Sequence, residues 1–369
     1  MSGTTQLAGA DRDPRYPVLD ALRFVLALWV AIGHYGIFPL FAGVDEATPF
    51  GHFLTHAWST VSFGTPAVIV FFIISGFCIH LPFRGNKSLP VGHFYLRRYT
   101  RILIPIAGAL CVYRLAGDRL HFWGEHSILW ESPLWSLLCE EIYYAAYPLL
   151  RIARRILGWT VLLVATFVAA IVIALTNPHA ANWHPFGPLG TAAILLPVWL
   201  LGALLAEQAA ALPNLGSSFR IWLWRFAAWL GCWSAEMLHF KAKISYTFTM
   251  IPFGLLAYFW VRKEIQYSRH QAPNKFLVAA GAWSYSLYLV HAQGMVFYQR
   301  LAIPNLGYIL TWCFTILSAL LFAWLFYILV ERPSHRLARR IKLSPAGPVL
   351  ASAAPSVLEG ERFSEASRP

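Results

Sequence analysis

Apolar runs long enough to cross a bilayer follow one another along almost the whole chain, and this feature constrains the fold most. A helix needs about 20 apolar residues to span the hydrocarbon core of a membrane. Ten runs fit this description, at 18–41, 58–82, 102–117, 133–150, 157–176, 189–208, 220–238, 245–262, 277–299 and 307–331. The predicted fold class is all-α: a polytopic membrane protein with about ten transmembrane helices in one bundle.

The charge content supports a membrane location. Only 12% of the 369 residues are charged, whereas soluble proteins average about 25%. So few charged residues cannot cover the surface of a globular protein of this size, so we expect lipid to cover much of it. The five cysteines all lie in apolar runs, with neither paired spacing nor metal-ligand spacing. We therefore predict no disulfide framework and no metal site.

The distribution of basic residues predicts the orientation. The net charge is +12, and most Lys and Arg residues fall in alternate connections between spans and in the tail. The positive-inside rule places these segments, with both termini, in the cytoplasm. We expect a multi-pass protein of the cell (plasma or inner) membrane that contacts lipid and no nucleic acid. Its parts would be a cytoplasmic segment at 1–17, a transmembrane domain at 18–340 and a disordered cytoplasmic tail at 341–369.

The first span carries two ionisable residues. In "LDALRFVLALWVAIGHY", Arg23 and His34 are eleven positions apart, which puts both on one helix face at ~100° per residue and roughly 16 Å apart. Ionisable groups inside a membrane are costly and usually mark a functional site. Asp20 lies one turn before Arg23 and could pair with it.

A second acidic site occurs in "PLWSLLCEEIYYAAYPLL". Glu140 shares a helix face with Ser136 and Tyr144, whereas Glu141 turns toward apolar residues. Span lengths place Glu140 and His34 at similar depths, so we expect the two to meet. An imidazole beside a carboxylate suits general-base catalysis. The alternative is a buried hydrogen bond that only holds two helices together.

Three arginines occur in "FYLRRYTRILIP". Arg97 and Arg101 would share one face if the segment is helical, and Arg98 lies beside them. Guanidinium groups bind phosphate well, so the cluster suggests a phosphate-bearing ligand. Anchoring at the cytoplasmic surface, or contact with anionic lipid, explains such clusters equally well.

Taken together, these segments resemble the acyltransferase-3 family of membrane O-acyltransferases. The first-span pattern, "FFIISGFCI", "FYLRRYTRILIP", "PLWSLLCEEIYYAAYPLL", "WSYSLYLVH" and "VERPSHRLAR" look like successive family blocks, in the family's order. The resemblance implies that His34 is the catalytic histidine, with Arg23 as its motif partner and Glu140 as an essential carboxylate. It also implies that Arg97, Arg98 and Arg101 contact the acyl donor, and we expect Arg23 to lie with them at the donor-binding end. A face formed by Ser284, Tyr288 and His291 is a further carry-over, although such residues often only pack.

The family implies transfer of an acyl group, acetyl above all, from cytoplasmic acyl-CoA to a sugar hydroxyl. The acceptor would be a glycan, a lipid-linked saccharide or a sugar-bearing small molecule, as in polysaccharide O-acetylation. Acyl-CoA would be a substrate, with no permanently bound cofactor. The candidate substrate-cavity residues are Asp20, Ser136, Glu141, Tyr144, Ser284, Tyr288 and His291.

Three alternatives stay open from the sequence. Cys139 could carry the acyl group covalently, although buried cysteine more often only packs. A proton-coupled transporter of a sugar or lipid-linked solute would also carry charges inside the membrane. A purely structural scaffold is the third. Dependence on acyl-CoA separates the enzyme from the last two.

Overall fold

The protein is a helical bundle, seen here in a computed structural model. The structure describes residues 15–35, 47–61, 64–85, 87–118, 120–121, 127–128, 132–301 and 306–341, and these ranges contain helices and no strand. The predicted all-α class is confirmed. Residues 1–14 of the predicted N-terminal segment and 342–369 of the predicted tail lie outside the described residues.

The helices are named in chain order. They are α1 (Pro17–His34), α2 (Pro49–Val61), α3 (Thr65–His80), α4 (Val91–Leu115), α5 (Leu134–Ala174), α6 (Gly187–Gln208), α7 (Ser218–Phe240), α8 (Tyr246–Ser268), α9 (Lys275–Ala280), α10 (Ser284–Arg300), α11 (Tyr308–Phe326) and α12 (Arg332–Arg340). A π-helical turn, Tyr327–Glu331, joins α11 to α12.

Every predicted span overlaps a helix, but the boundaries differ. The predicted span at 58–82 covers the end of α2 and all of α3, and the span at 277–299 is interrupted by the 3₁₀ turn Gly281–Trp283. Helix α5 contains two predicted spans, which meet at Gly158 with φ 75° and ψ 169°. That conformation is outside the helical region and is readily adopted only by glycine, so α5 breaks there.

Five helical stretches in the described part of the chain are long and apolar enough to cross a membrane. They are Pro17–His34, Thr65–Phe83, Leu134–Ala174, His184–Ala211 and Tyr308–Arg340. This supports a polytopic membrane protein. The count of ten spans stays a prediction.

Two glycines bring α3 and α6 into backbone contact. A Cβ atom on Gly76 would lie 2.0 Å from the carbonyl oxygen of Trp199, and one on Gly202 would lie 1.9 Å from that of Ile73. Small residues let membrane helices approach this closely, which compensates for the weak hydrophobic drive between helices in lipid. The contact fixes the position of α3 against α6 in the bundle.

Helix α1 is held at both ends by the segment around α10. Near its start, a Cβ on Gly281 would lie 2.2 Å from the carbonyl oxygen of Asp20, and the rings of Phe24 and Trp283 meet edge to face at 5.0 Å. At its end, the hydroxyl of Tyr35 donates to the carbonyl oxygen of His291 at 2.9 Å. The register of α1 against α10 is therefore fixed.

Gly202→Ala should destabilise the protein, because the new Cβ would force α3 and α6 apart. Overpacking of this kind costs about 1–3 kcal/mol. The melting temperature of the detergent-solubilised protein, followed by the loss of its size-exclusion peak, measures the effect. Gly92→Ala is the matched control, since nothing lies within 4 Å of a Cβ at that position. Equal melting temperatures for the two variants would contradict the packing argument.

Candidate active site

A cavity of about 450 Å³ opens between α1, α3, α4, α5, α10 and the segment that follows α11. Its walls mix apolar side chains with an unusual number of charged and polar ones. The polar and charged lining residues are Arg15, Tyr16, Asp20, Arg23, Ser75, Arg98, Arg101, Ser136, Glu140, Tyr144, Ser284, Tyr285, Tyr288, Glu331 and His335. Nine of the thirteen predicted site residues line the cavity; His34, Arg97, Glu141 and His291 do not.

Glu140 is fixed by a chain of hydrogen bonds across three helices. Its Oε2 accepts from the Tyr144 hydroxyl at 2.9 Å, and that hydroxyl lies 2.9 Å from Ser75 Oγ. The indole of Trp199 donates to the same Ser75 oxygen at 3.3 Å. The Arg98 guanidinium stacks 4.7 Å from the centre of the Tyr144 ring. The predicted polar stripe on α5 therefore faces the cavity with a positioned carboxylate.

Two cavity arginines keep their hydrogen-bonding capacity. Arg23 and Arg98 interact electrostatically with Glu140, but neither forms an ion pair within the described residues. The predicted Asp20–Arg23 pair is therefore absent there, although both residues line the cavity. Guanidinium groups without a protein anion are suited to bind the anion of a ligand.

The prediction for Arg97 needs correction. Helix α4 begins at Val91 and runs through the whole arginine motif, so neighbouring positions differ by about 100° around the axis. Arg98 and Arg101 face the cavity, while Arg97 is exposed and outside its lining. The cationic face is formed by positions 98 and 101 rather than by 97 and 101.

The expected contact between His34 and Glu140 is wrong. The His34 ring instead lies against His291, with ring centroids 5.1 Å apart and an interplanar angle of 47°. Ser136 Oγ and the Tyr288 hydroxyl, 2.7 Å apart, mark a common level of α5 and α10. Glu140 lies about one helical turn from that level, on the side of the arginines. His291 lies nearly one turn from it on the opposite side, so Glu140 and His291 are roughly 10 Å apart along the helix axes.

The contacts of His291 indicate which of its two ring nitrogens carries the proton when the ring is neutral. Its Nδ1 lies 3.0 Å from the carbonyl oxygen of Tyr288 and 3.1 Å from that of Leu287. Carbonyl oxygens only accept, so Nδ1 carries the proton and Nε2 presents a lone pair. That Nε2 is buried and has no hydrogen-bond partner among the described residues. His34 therefore neighbours a buried imidazole with an acceptor nitrogen to spare.

Glu141 also stays outside the cavity lining. It follows Glu140 directly, so the helix turns it about 100° away, as its apolar neighbours in the sequence indicate. Its Oε2 is buried without a hydrogen-bond partner in the described part of the chain. Adjacent carboxylates on α5 thus have different environments, and Glu140 alone reaches the cavity.

Sequence reasoning missed six polar residues of the cavity lining: Arg15, Tyr16, Ser75, Tyr285, Glu331 and His335. The last four stand in segments that resemble family blocks. The usable signal was Glu331, an ionisable residue at the end of an apolar run, since such residues usually face a cavity or a partner.

Comparison with known proteins now identifies the family. The model of the acyltransferase domain, Acyl_transf_3, matches residues 16–328. The chain belongs to the acyltransferase-3 family. This enzyme is similar to the acyltransferase MdmB of Streptomyces mycarofaciens, with 27% identity over 405 aligned residues that cover 95% of this chain and 98% of MdmB. No solved structure matches the chain.

The cavity predicts different reactivity for two of the acyltransferase's cysteines. Cys78 is exposed and lines the cavity near the arginines, whereas Cys139 is 1% exposed and lies outside the lining. In single-cysteine variants, an anionic methanethiosulfonate reagent should modify Cys78 and leave Cys139 unmodified, because access and nearby cations control thiol reactivity. Mass spectrometry of the intact protein measures this. Faster modification of Cys139 than of Cys78 would contradict the described cavity.

Proposed function

We propose that this acyltransferase moves an acyl group, acetyl above all, from cytoplasmic acyl-CoA to a sugar hydroxyl. The acceptor is a glycan, a lipid-linked saccharide or a sugar-bearing small molecule. The observation that carries the proposal is the cavity, in which arginines without ion-pair partners in the described chain face a positioned carboxylate. Family membership favours this reaction over the transporter and the scaffold.

The arginine end of the cavity is the proposed donor site. Arg23, Arg98 and Arg101 supply guanidinium groups that suit the phosphates of CoA. The positive-inside rule supports a cytoplasmic location for this end, in the plasma or inner membrane. The flexible pantetheine arm would then run along the cavity toward Ser136 and Tyr288, and carry the thioester away from the phosphates.

His34 is the proposed general base. Its imidazole would take the proton from the acceptor hydroxyl, whose oxygen attacks the thioester carbonyl carbon. The carbon–sulfur bond then breaks, and the CoA sulfur leaves with the proton that His34 returns. His291, with its acceptor Nε2, is the proposed partner that orients the His34 ring. The burial of Cys139 outside the cavity favours this direct attack over a covalent intermediate.

Glu140 has a different proposed role, on the donor side. Its carboxylate interacts with Arg23 and Arg98 and is held by Tyr144. It would offset the repulsion between these cations when no donor is bound and keep them at the cavity wall. The carboxylate would thus be essential without touching the base.

His34→Ala should lower acyl transfer by about 100-fold or more, the usual contribution of a general base. The measurement is transfer of labelled acetyl from acetyl-CoA in membranes that carry the protein, with the host's own glycans as acceptors. His179→Ala, an exposed histidine outside the cavity, is the matched control and should retain activity. Full activity of a folded His34→Ala variant would remove His34 from the mechanism. No transfer by the wild-type protein from acetyl-, propionyl- or succinyl-CoA would contradict the proposed donor.

His291→Leu tests the histidine pair. The change replaces the imidazole with an apolar side chain of similar size and removes the acceptor nitrogen beside His34, so kcat should fall while the KM for acyl-CoA stays the same. Steady-state kinetics with varied acetyl-CoA measures both constants, and size-exclusion chromatography checks the fold. An altered KM with an unchanged kcat would place His291 on the donor side and contradict its proposed role.

A further inference from the structure

A buried carboxylate at the arginine end of the cavity has no part in the mechanism above. Glu331 closes the π-helical turn Tyr327–Glu331 and is 2% exposed. Its Oε2 accepts from the backbone nitrogen of Ser286 at 3.1 Å and from Ser286 Oγ at 2.5 Å. π-Helical turns are rare and frequently lie at functional sites. Helix α10 therefore holds Glu331 in one position at the cavity wall.

His335 contacts the arginine motif directly. Its Nε2 lies 2.9 Å from Nε of Arg101, and since an arginine Nε–H can only donate, Nε2 is the acceptor and the ring is neutral, with its proton on Nδ1. Glu331 Oε1 lies 3.5 Å from the same Nε2; both atoms are acceptors in this state, so Glu331 acts on the cluster through its charge and not through a hydrogen bond to His335. A bond from Ser334 Oγ to the carbonyl oxygen of Arg101, at 3.5 Å, also joins α12 to α4.

This arrangement leaves the terminal nitrogens of Arg101 available. Nε is bonded to His335, whereas neither Nη1 nor Nη2 has a protein partner among the described residues. Arg101 is exposed and lines the cavity. A guanidinium group anchored through Nε presents its two terminal nitrogens side by side, in the geometry that suits two oxygens of a phosphate.

We propose that His335 is a positioning residue for the acyl donor, which holds Arg101 so that Nη1 and Nη2 bind a phosphate of acyl-CoA. The inference rests on the proposed function, because it assigns a role within that donor site. Glu331 also offsets the mutual repulsion of the cavity arginines, since it interacts electrostatically with Arg23 and Arg101.

A purely structural role would connect α4, α10 and α12 without affecting the donor. The two roles differ in what a substitution changes. Loss of a structural link lowers stability and changes the rate as well as binding. Loss of a positioning residue weakens donor binding, and does so only while Arg101 is present to be positioned.

The experiment measures the Kd for CoA of the purified full-length protein in detergent, which needs no acceptor, together with kcat for acetyl transfer. His335→Leu should raise the Kd about tenfold, as expected for a lost hydrogen bond to a charged group, with little change in kcat. His335→Gln should restore most of the affinity, because its amide oxygen can accept from Nε. Arg336→Gln, an exposed neighbour on α12 outside the cavity lining, is the control and should bind CoA like the wild-type protein.

A double-mutant cycle with Arg101→Ala completes the test. If His335 acts through Arg101, His335→Leu should raise the Kd no further in the Arg101→Ala background. The inference is overturned if His335→Leu binds CoA like the wild-type protein, if His335→Gln is no better than His335→Leu, or if the two single effects add. CoA binding by a wild-type protein that transfers no acetyl group would instead count against the proposed reaction while leaving the donor site in place. Absence of CoA binding by the folded wild-type protein would overturn both.

Discussion

The cost of a charge in hydrocarbon governs the arrangement of this bundle. A charged side chain at the centre of a membrane helix costs about 3 kcal/mol for insertion alone, so every such group must face a polar partner or a cavity. Helices α1, α3, α4, α5 and α10 and the turn after α11 each direct polar side chains into one space. Carboxylates and guanidinium groups face each other there, while the large apolar side chains of α5 and α11 are exposed where lipid would lie.

Helix packing and the cavity are linked through Trp199, which is outside the cavity lining. Its carbonyl oxygen would lie 2.0 Å from a Cβ on Gly76, while its indole donates to Ser75, a lining residue on the neighbouring helix. Ser75 in turn contacts Tyr144, which holds Glu140. A shift between α3 and α6 would therefore reach the carboxylate through three hydrogen bonds. The same glycines that let the helices pack thus influence the position of Glu140 in the cavity.

The faces of a single helix can be predicted well from the sequence. Contacts between different helices are predicted less accurately. Arg23, Ser136, Glu140 and Tyr144 were predicted correctly to face one space, because helical periodicity determines the face from spacing alone. The His34–Glu140 contact failed because span ends locate depth only to about a turn, and depth says nothing about which neighbour a side chain meets. The choice of Arg97 failed for a related reason: spacing shows which positions share a face of a helix, but not which face meets the cavity. Glu331 could be noticed as an ionisable residue at the end of an apolar run, but no apolar pattern indicates the π-helical turn in which it lies.

The separation of the two histidines from the arginines makes chemical sense for a general base. In acyl transfer the base becomes an imidazolium, and a positive charge close to the arginine cluster would be strongly disfavoured. Coulomb repulsion falls with distance, and His34 lies roughly 16 Å along α1 from Arg23. His291, a neutral partner with an acceptor nitrogen, can stabilise that imidazolium. A carboxylate in the same position would also attract the arginines. The bundle can therefore keep the proposed phosphate site at the arginine end of the cavity and the proposed base beyond the cavity lining, with the donor itself as the connection between them.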